Sequence, residues 1–256
     1  MRKPDEHRAA FEEFLADLQL SPELGGLEEP VRYALEGGGK RIRPVLCLAT
    51  TEAAGGDPDT VLAAAAAVEF VHSFSLVHDD LPALDDDDER RGRPTAHVRF
   101  GEAPAILAGD ALLTEAFALA LEYPDGNVGR ELVLATSGMI GGQYLDIDGG
   151  RRDRVELTRL KTGRLFEAAV GCGVWVAEVP PADQEPWRAF AADFGFLYQV
   201  VDDLLDDDGL AVDLGRERTQ ALAAETEDSA RARLDAIDAD TSVLGDLLAE
   251  LTVRIP

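Results

Sequence analysis

Apolar residues in this chain collect in long runs rich in alanine and leucine, and the alternation expected of half-buried strands is rare. Clusters of glycine, proline and aspartate punctuate the runs at "SPELGGLEEP", "GGDPDT", "YPDGN", "DGGRRD" and "EVPPADQEP". The pattern predicts helices over 5–18, 28–36, 42–54, 58–80, 101–121, 127–146, 153–177, 182–207, 217–237 and 242–253. With no repeat, low-complexity tail or linker between them, these read as one all-α domain over residues 1–256. The run "VLAAAAAVEFVHSFSLVH" has the length of a membrane span, but Glu69, His72 and the serines favour a buried core helix. The N-terminal "MRKPDEHRAAFEEFLADL" carries acids where a signal peptide has an apolar core, so no export signal is expected.

Charge narrows the function classes. Fifty acidic residues against 24 basic ones give a formal charge of −26, which weighs against a nucleic-acid partner and against an anionic membrane surface. Only three lysines stand beside twenty-one arginines, a surface expected of a halophilic protein working where salt screens its self-repulsion. Cys47 and Cys172 sit among apolar and small residues, the setting of buried thiols in a reducing cytoplasm.

The acids concentrate in two places. In "LVHDDLPALDDDDERRGRPTAH", Asp79 and Asp80 end an apolar helix, Pro82 opposes its continuation, and Asp85 comes near Asp79 only if the chain loops back. In "YQVVDDLLDDDG", Asp202 and Asp206 are four apart and share a helix face, with Asp203 turned aside. A solvated acidic patch explains either cluster alone. Both, however, follow strongly apolar segments, so their first carboxylates stand at the mouths of buried helices, where charge is costly unless compensated. Magnesium with retained waters and a phosphate-bearing ligand is the natural compensation. Two of the three lysines fall in "EGGGKRIRP" and "RLKTGRLFE". Lys40, Arg41 and Arg43, beside a glycine triplet, are suited to hold diphosphate oxygens. The expectation is therefore two anionic pockets, one bridged by metal and one held by cations.

"GGGKRIRP", "SLVHDDLPALDDDDERRGRPTAH", "GGQYLDI", "LKTGRLF" and "FGFLYQVVDDLLD" follow one another here as they do in the trans-type isoprenyl diphosphate synthases, which the chain resembles over roughly residues 30 to 210. The resemblance implies an isoprenoid-synthase-type bundle of long helices around a deep central cavity, usually dimeric. It implies that Asp79, Asp80, Asp85, Asp202, Asp203 and Asp206 hold magnesium, three ions once diphosphate is bound. It assigns Lys40, Arg43, His72 and Arg91 to isopentenyl diphosphate. Arg90, Lys161, Thr162 and Gln199 go to the allylic diphosphate and its ionisation, while His78 and His97 are given structural roles.

Phe74 precedes Asp79 by five residues, roughly 7 to 8 Å along a helix axis. There it is expected to form the floor of the prenyl tunnel, with farnesyl diphosphate the main product and geranylgeranyl diphosphate second. After the second aspartate cluster, "DDGLAVDLGRERTQAL" is shorter than the family's segment and lacks its first lysine, with Asp213 and Arg218–Thr219 standing for the later part. That departure favours a weakly active regulatory subunit as the alternative; the two complete aspartate clusters oppose it. A terpene cyclase or a head-to-head condensing enzyme on the same fold is a third class; the cyclase has no need of an isopentenyl diphosphate site, so "GGGKRIRP" with "QVVDDLLD" argues against it.

Overall fold

The structure, a computed structural model, describes residues 1–148 and 153–253. Most of the turn expected at "DGGRRD" and the last three positions of the expected domain lie outside the described residues. Thirteen α-helices are found among the described residues: α1 Pro4–Asp17, α2 Glu28–Leu35, α3 Ile42–Ala53, α4 Leu62–Asp79, α5 Ala96–Phe100, α6 Glu102–Ala120, α7 Asn127–Ile147, α8 Arg154–Thr158, α9 Arg164–Val176, α10 Glu185–Asp206, α11 Gly209–Leu214, α12 Arg216–Asp235 and α13 Ser242–Thr252. A two-residue hairpin, β1 Glu89–Arg90 with β2 Arg93–Pro94, pairs antiparallel in the register Glu89 to Pro94 and Arg90 to Arg93.

Helix α4 is the central post. Its alanines 64 to 67 are buried, and such small side chains let α3 and α6 pack closely along it, with α7 and α9 also in contact. A second layer sets α10 against α9 and α12. Phe70, Phe166, Phe190 and Phe194 are fully buried between these layers. Each contributes about 1.5–3 kcal/mol of transfer free energy, and cutting Phe70 back to alanine costs about 3–5 kcal/mol. Both α4 and α6 are long and apolar enough to cross a membrane; α4 is covered by its neighbours, as a core helix should be. Helix α6 leaves Ile106 and Leu107 exposed, and α7 beside it exposes Val133, Leu134, Ile140, Tyr144 and Ile147.

Departures from the expected helices are local. The span 153–177 is broken by a π turn, Arg159–Gly163, between α8 and α9. Gly142 on α7 lies so close to this turn that a Cβ there would stand 2.6 Å from the Lys161 nitrogen, so glycine is what admits the contact. The helices expected from 58 and 182 open with 3-10 turns, Pro58–Val61 and Pro181–Asp183. α5, α11 and the hairpin have no counterpart in the expected list, being shorter than the window over which periodicity is legible.

Candidate active site

A cavity of about 730 Å³ opens among α4, α6, α7, the π turn and α10. Helix α7 lines it with Met139, Ile140, Gln143, Tyr144 and Ile147, a spacing that is one helix face. Helix α4 contributes His72, Phe74, His78 and Asp79; the π turn and α9 contribute Lys161, Thr162 and Leu165; α10 contributes Tyr198, Gln199 and Asp202. A second cavity of about 370 Å³ lies beside it, lined by Gly39, Lys40 and Asp206 among others. The two share Arg43, His72, Arg91, Tyr198 and Asp202 as a common wall.

Asp79 is the last residue of α4, at the negative end of the helix dipole. Burial, ahead of the neighbouring carboxylates of Asp85 and Asp80, pushes its carboxyl up to about 6 against the pull of Lys161 and Arg90. The chain does loop back: the Asp85 N–H donates to the Asp79 carbonyl at 2.9 Å. Asp202 faces both cavities and Asp206 the second.

Two of the six expected metal ligands are engaged elsewhere. Asp80 is buried and takes the Arg90 guanidinium at 2.6 Å, with Arg90 also reaching Asp87 at 3.3 Å. Asp203, turned aside as its spacing requires, is buried where it accepts from Gln199 Nε2 at 2.7 Å and the Leu210 N–H at 2.9 Å. Burial raises the carboxyl of each.

The π turn brings Lys161 and Thr162 to the cavity together. Lys161 Nζ pairs with Asp146 at 2.7 Å. Thr162 Oγ1 donates to Gln199 Oε1 at 2.8 Å, so Asp203, Gln199 and Thr162 form one relay that fixes the amide and the hydroxyl. Arg43 is buried with its guanidinium 4.3 Å over the Phe166 ring, a cation–π contact. Burial, then Arg43 and Arg91, drive His72 well below its ordinary value, so it is neutral at pH 7. Phe74 is nearly buried on the cavity wall, edge-on to His78 with ring centroids 4.8 Å apart. His78 Nε2 meets the Ile106 carbonyl at 3.0 Å, and His97 Nδ1 meets Thr95 Oγ1 at 3.0 Å, contacts of structural histidines.

One expectation needs correcting, and the shortened segment can be placed. Arg41 lines the second cavity, but its guanidinium is taken up within the protein: its nitrogens donate to Glu12 at 2.7 Å, Glu69 at 2.7 Å and the Leu35 carbonyl at 2.6 Å. Arg218 pairs with Glu225, and buried Thr219 bonds the Leu210 and Gly215 carbonyls, so neither reaches the cavities. Asp213 on α11 is held by Arg154 of α8 at 2.7 Å, across the shortened segment. The sequence reading missed Asp146 and Gln143, although Gln143, Asp146 and Ile147 share a face of α7 within "GGQYLDI", which is the signal that finds them.

The donor set suits a hard divalent cation. Among the described residues no three carboxylates, histidines or cysteines close into a cage. Asp79 and Asp202 nevertheless open onto one cavity, where a cation would offset the cost of burying the Asp79 carboxylate. One or two carboxylates, completed by water and phosphate oxygens, is the way magnesium is commonly held.

Residues 25–223 match the family model described as polyprenyl synthetase. Over 194 residues, 70% of this chain, it is 42% identical to a geranylgeranyl diphosphate synthase of Cyanophora paradoxa, and the match spans 64% of that protein's length. It is 40% identical over 205 residues to a farnesyl diphosphate synthase of Geobacillus stearothermophilus, covering 74% of this chain and 69% of the relative. Among solved structures, an FPP/GFPP synthase from Zymomonas mobilis superposes with a TM-score of 0.84 at 32% identity, covering 96% of this chain and 95% of the other.

Proposed function

The chain belongs to the polyprenyl synthetase family, and on that premise we propose that it condenses isopentenyl diphosphate with an allylic diphosphate, dimethylallyl or geranyl, to give farnesyl or geranylgeranyl diphosphate. The observation that carries this reading is the common wall: a chamber with Asp79, Asp202, Lys161 and Thr162 adjoins one with Lys40 through Arg43, His72 and Arg91. The allylic diphosphate occupies the first, and the diphosphate of isopentenyl diphosphate the second.

Asp79 and Asp202, with Asp85 and Asp206, would hold magnesium, which when bound would neutralise charge on the allylic diphosphate. Lys161 and Arg90 add fixed positive charge where the leaving oxygens gather negative charge, and Asp146 and Asp80 hold those two cations in place. The allylic C1–O bond breaks and its electron pair leaves with the diphosphate. The isopentenyl double bond then attacks C1, and the adjacent carbon loses a proton to the released diphosphate. Thr162 and Gln199, fixed by their relay, turn oxygen dipoles toward the positive carbon without acting as nucleophiles. Phe74, Leu113, Met139 and Leu165 give the chamber an apolar wall that keeps water from the cation.

Phe74 also sets the floor, so farnesyl diphosphate is the main product and geranylgeranyl diphosphate the second. Ile106, Leu107, Val133 and Leu134, exposed on α6 and α7 and outside the cavity wall, form the contact of a homodimer. A reducing, salt-rich cytoplasm is the expected setting, supported by two buried free thiols and the acidic surface. The deciding experiment supplies labelled isopentenyl diphosphate and each allylic primer with magnesium in molar potassium chloride, then chromatographs the dephosphorylated products. Elongated prenols support the reading; their absence at every salt concentration returns the regulatory-subunit alternative.

A further inference from the structure

The glycine-rich loop before α3 is laced by arginine side chains, three of them from outside it. Arg41 Nη2 donates to the Leu35 carbonyl at 2.6 Å, Arg93 Nη1 to Glu36 at 2.9 Å, Arg91 Nη1 to Gly38, and Arg8 Nε to Lys40 at 3.1 Å. Four carbonyls within six residues are thereby tied to α1, to the hairpin and to the start of α3. The loop needs such restraint. Gly38 and Gly39 have φ of 70° and 130°, which glycine adopts freely, whereas Arg41 at 48° is a non-glycine residue in the left-handed region that its surroundings must hold. A Cβ at Gly39 would stand 2.4 Å from the Arg91 guanidinium, so the strap and the glycine fit one another.

Arg41 is the innermost strap. It and Glu69 are each about 5% exposed, at 6% and 5%. A buried ion pair of this kind is a poor source of stability, since apolar residues of similar volume often do as well or better. What it supplies is position. Glu69 lies three residues before His72 on α4, one turn away, so the pair ties the loop backbone to the helix that carries His72 and, at its end, Asp79. Lys40, Arg41, Arg43 and Glu69 all line the second cavity, so the ion pair is built into its wall.

We propose that Arg41, locked by Glu69, is a positioning residue that holds the loop preformed as a diphosphate receptor, with Arg8 and Arg93 as outer straps. This rests on the assignment of Lys40, Arg43, His72 and Arg91 to isopentenyl diphosphate. A receptor fixed before the ligand arrives loses less conformational freedom on binding, so loosening it weakens that substrate specifically.

The test compares the full chain with the double variant Arg41→Met/Glu69→Gln, which removes both charges of the buried pair together, and with the surface variant Arg8→Gln. Readouts are the melting temperature, isothermal titration with isopentenyl diphosphate, and kcat with separate KM values for the two substrates. The double variant is expected to melt within about 5 °C of the parent. Its KM and Kd for isopentenyl diphosphate rise about tenfold or more, while kcat and the allylic KM stay within about twofold. Arg8→Gln is expected to raise the isopentenyl KM about two- to threefold with no change in melting. A folded double variant with parental isopentenyl affinity, or one in which both KM values and kcat worsen together, overturns the proposal. If the double variant does not fold, Arg8→Gln decides on the same split, and a parental KM there overturns it. A parent that neither binds nor turns over isopentenyl diphosphate overturns the functional reading itself.

Discussion

Adjacent aspartates on one helix turn have divided tasks. Asp202 opens onto both cavities while Asp203 is buried under Gln199 and α11. Asp79→Ala and Asp202→Ala are each expected to lower turnover by about two orders of magnitude or more, with isopentenyl diphosphate affinity changed less than about threefold. Rapid-quench turnover and titration measure the two separately, and near-normal turnover in either variant refutes the ionisation roles. Phe74→Ala is expected to lengthen the products; unchanged chain lengths from a soluble, active variant remove Phe74 as the floor. The face shared by Asp202 and Asp206, and the turning aside of Asp203, were legible from helical spacing alone. So in principle was the Gln199–Asp203 bond, an i,i+4 pair. The burial of Asp80 under Arg90 was not, because it depends on a hairpin folding ten residues of chain back over the end of α4.

At the scale of elements, most helices begin and end within a few residues of the positions that apolar runs and punctuation predicted. The sequence concealed the π turn because periodicity continues on both sides of it, and the glycine packed against it, Gly142, lies on another helix. Helix α1 carries a further consequence. His7 is fully buried, with Nε2 3.1 Å from the Glu52 carboxylate, and burial outweighs Glu52 to hold its pKa below the ordinary 6.5. As pH falls through 6.5 the unfolded chain takes up this proton before the folded one does. The stability contributed by neutral His7 is therefore full above that pH and drains away below it. Melting curves between pH 7.5 and about 5.5 should show the advantage of the parent over His7→Gln shrinking with acidity; a constant difference would contradict the linkage.

Over the whole molecule, a formal charge of −26 makes compactness depend on screening. Dialysis from molar potassium chloride to about 10 mM lengthens the Debye distance to roughly 30 Å, and the melting temperature is expected to fall steadily across that range. A melting temperature indifferent to salt would remove the halophilic reading. The apolar face of α6 and α7 yields a second expectation at this scale. Leu134, 64% exposed and outside the cavity wall, should when changed to glutamate turn a dimer into a monomer by light scattering, whereas a parent that is already monomeric removes that contact. The acidic surface could be counted from the sequence; the bare apolar face could not, because composition does not reveal which side of a helix is left uncovered.

The π turn has a consequence for descent. It is a helix with one residue more than its hydrogen bonding strictly requires, and that residue lets Lys161 and Thr162 face the same chamber. A single-codon deletion between 159 and 163 would remove that extra residue and leave a sound α-helix with its flanks close to their present register, yet the bulge that turns Lys161 and Thr162 to one chamber would be gone. Such a lineage would keep its fold, its aspartates and its lysine while losing their common focus. Inactive cousins of this chain can therefore be sought by counting residues between motifs, where an inventory of the motifs themselves would find nothing missing.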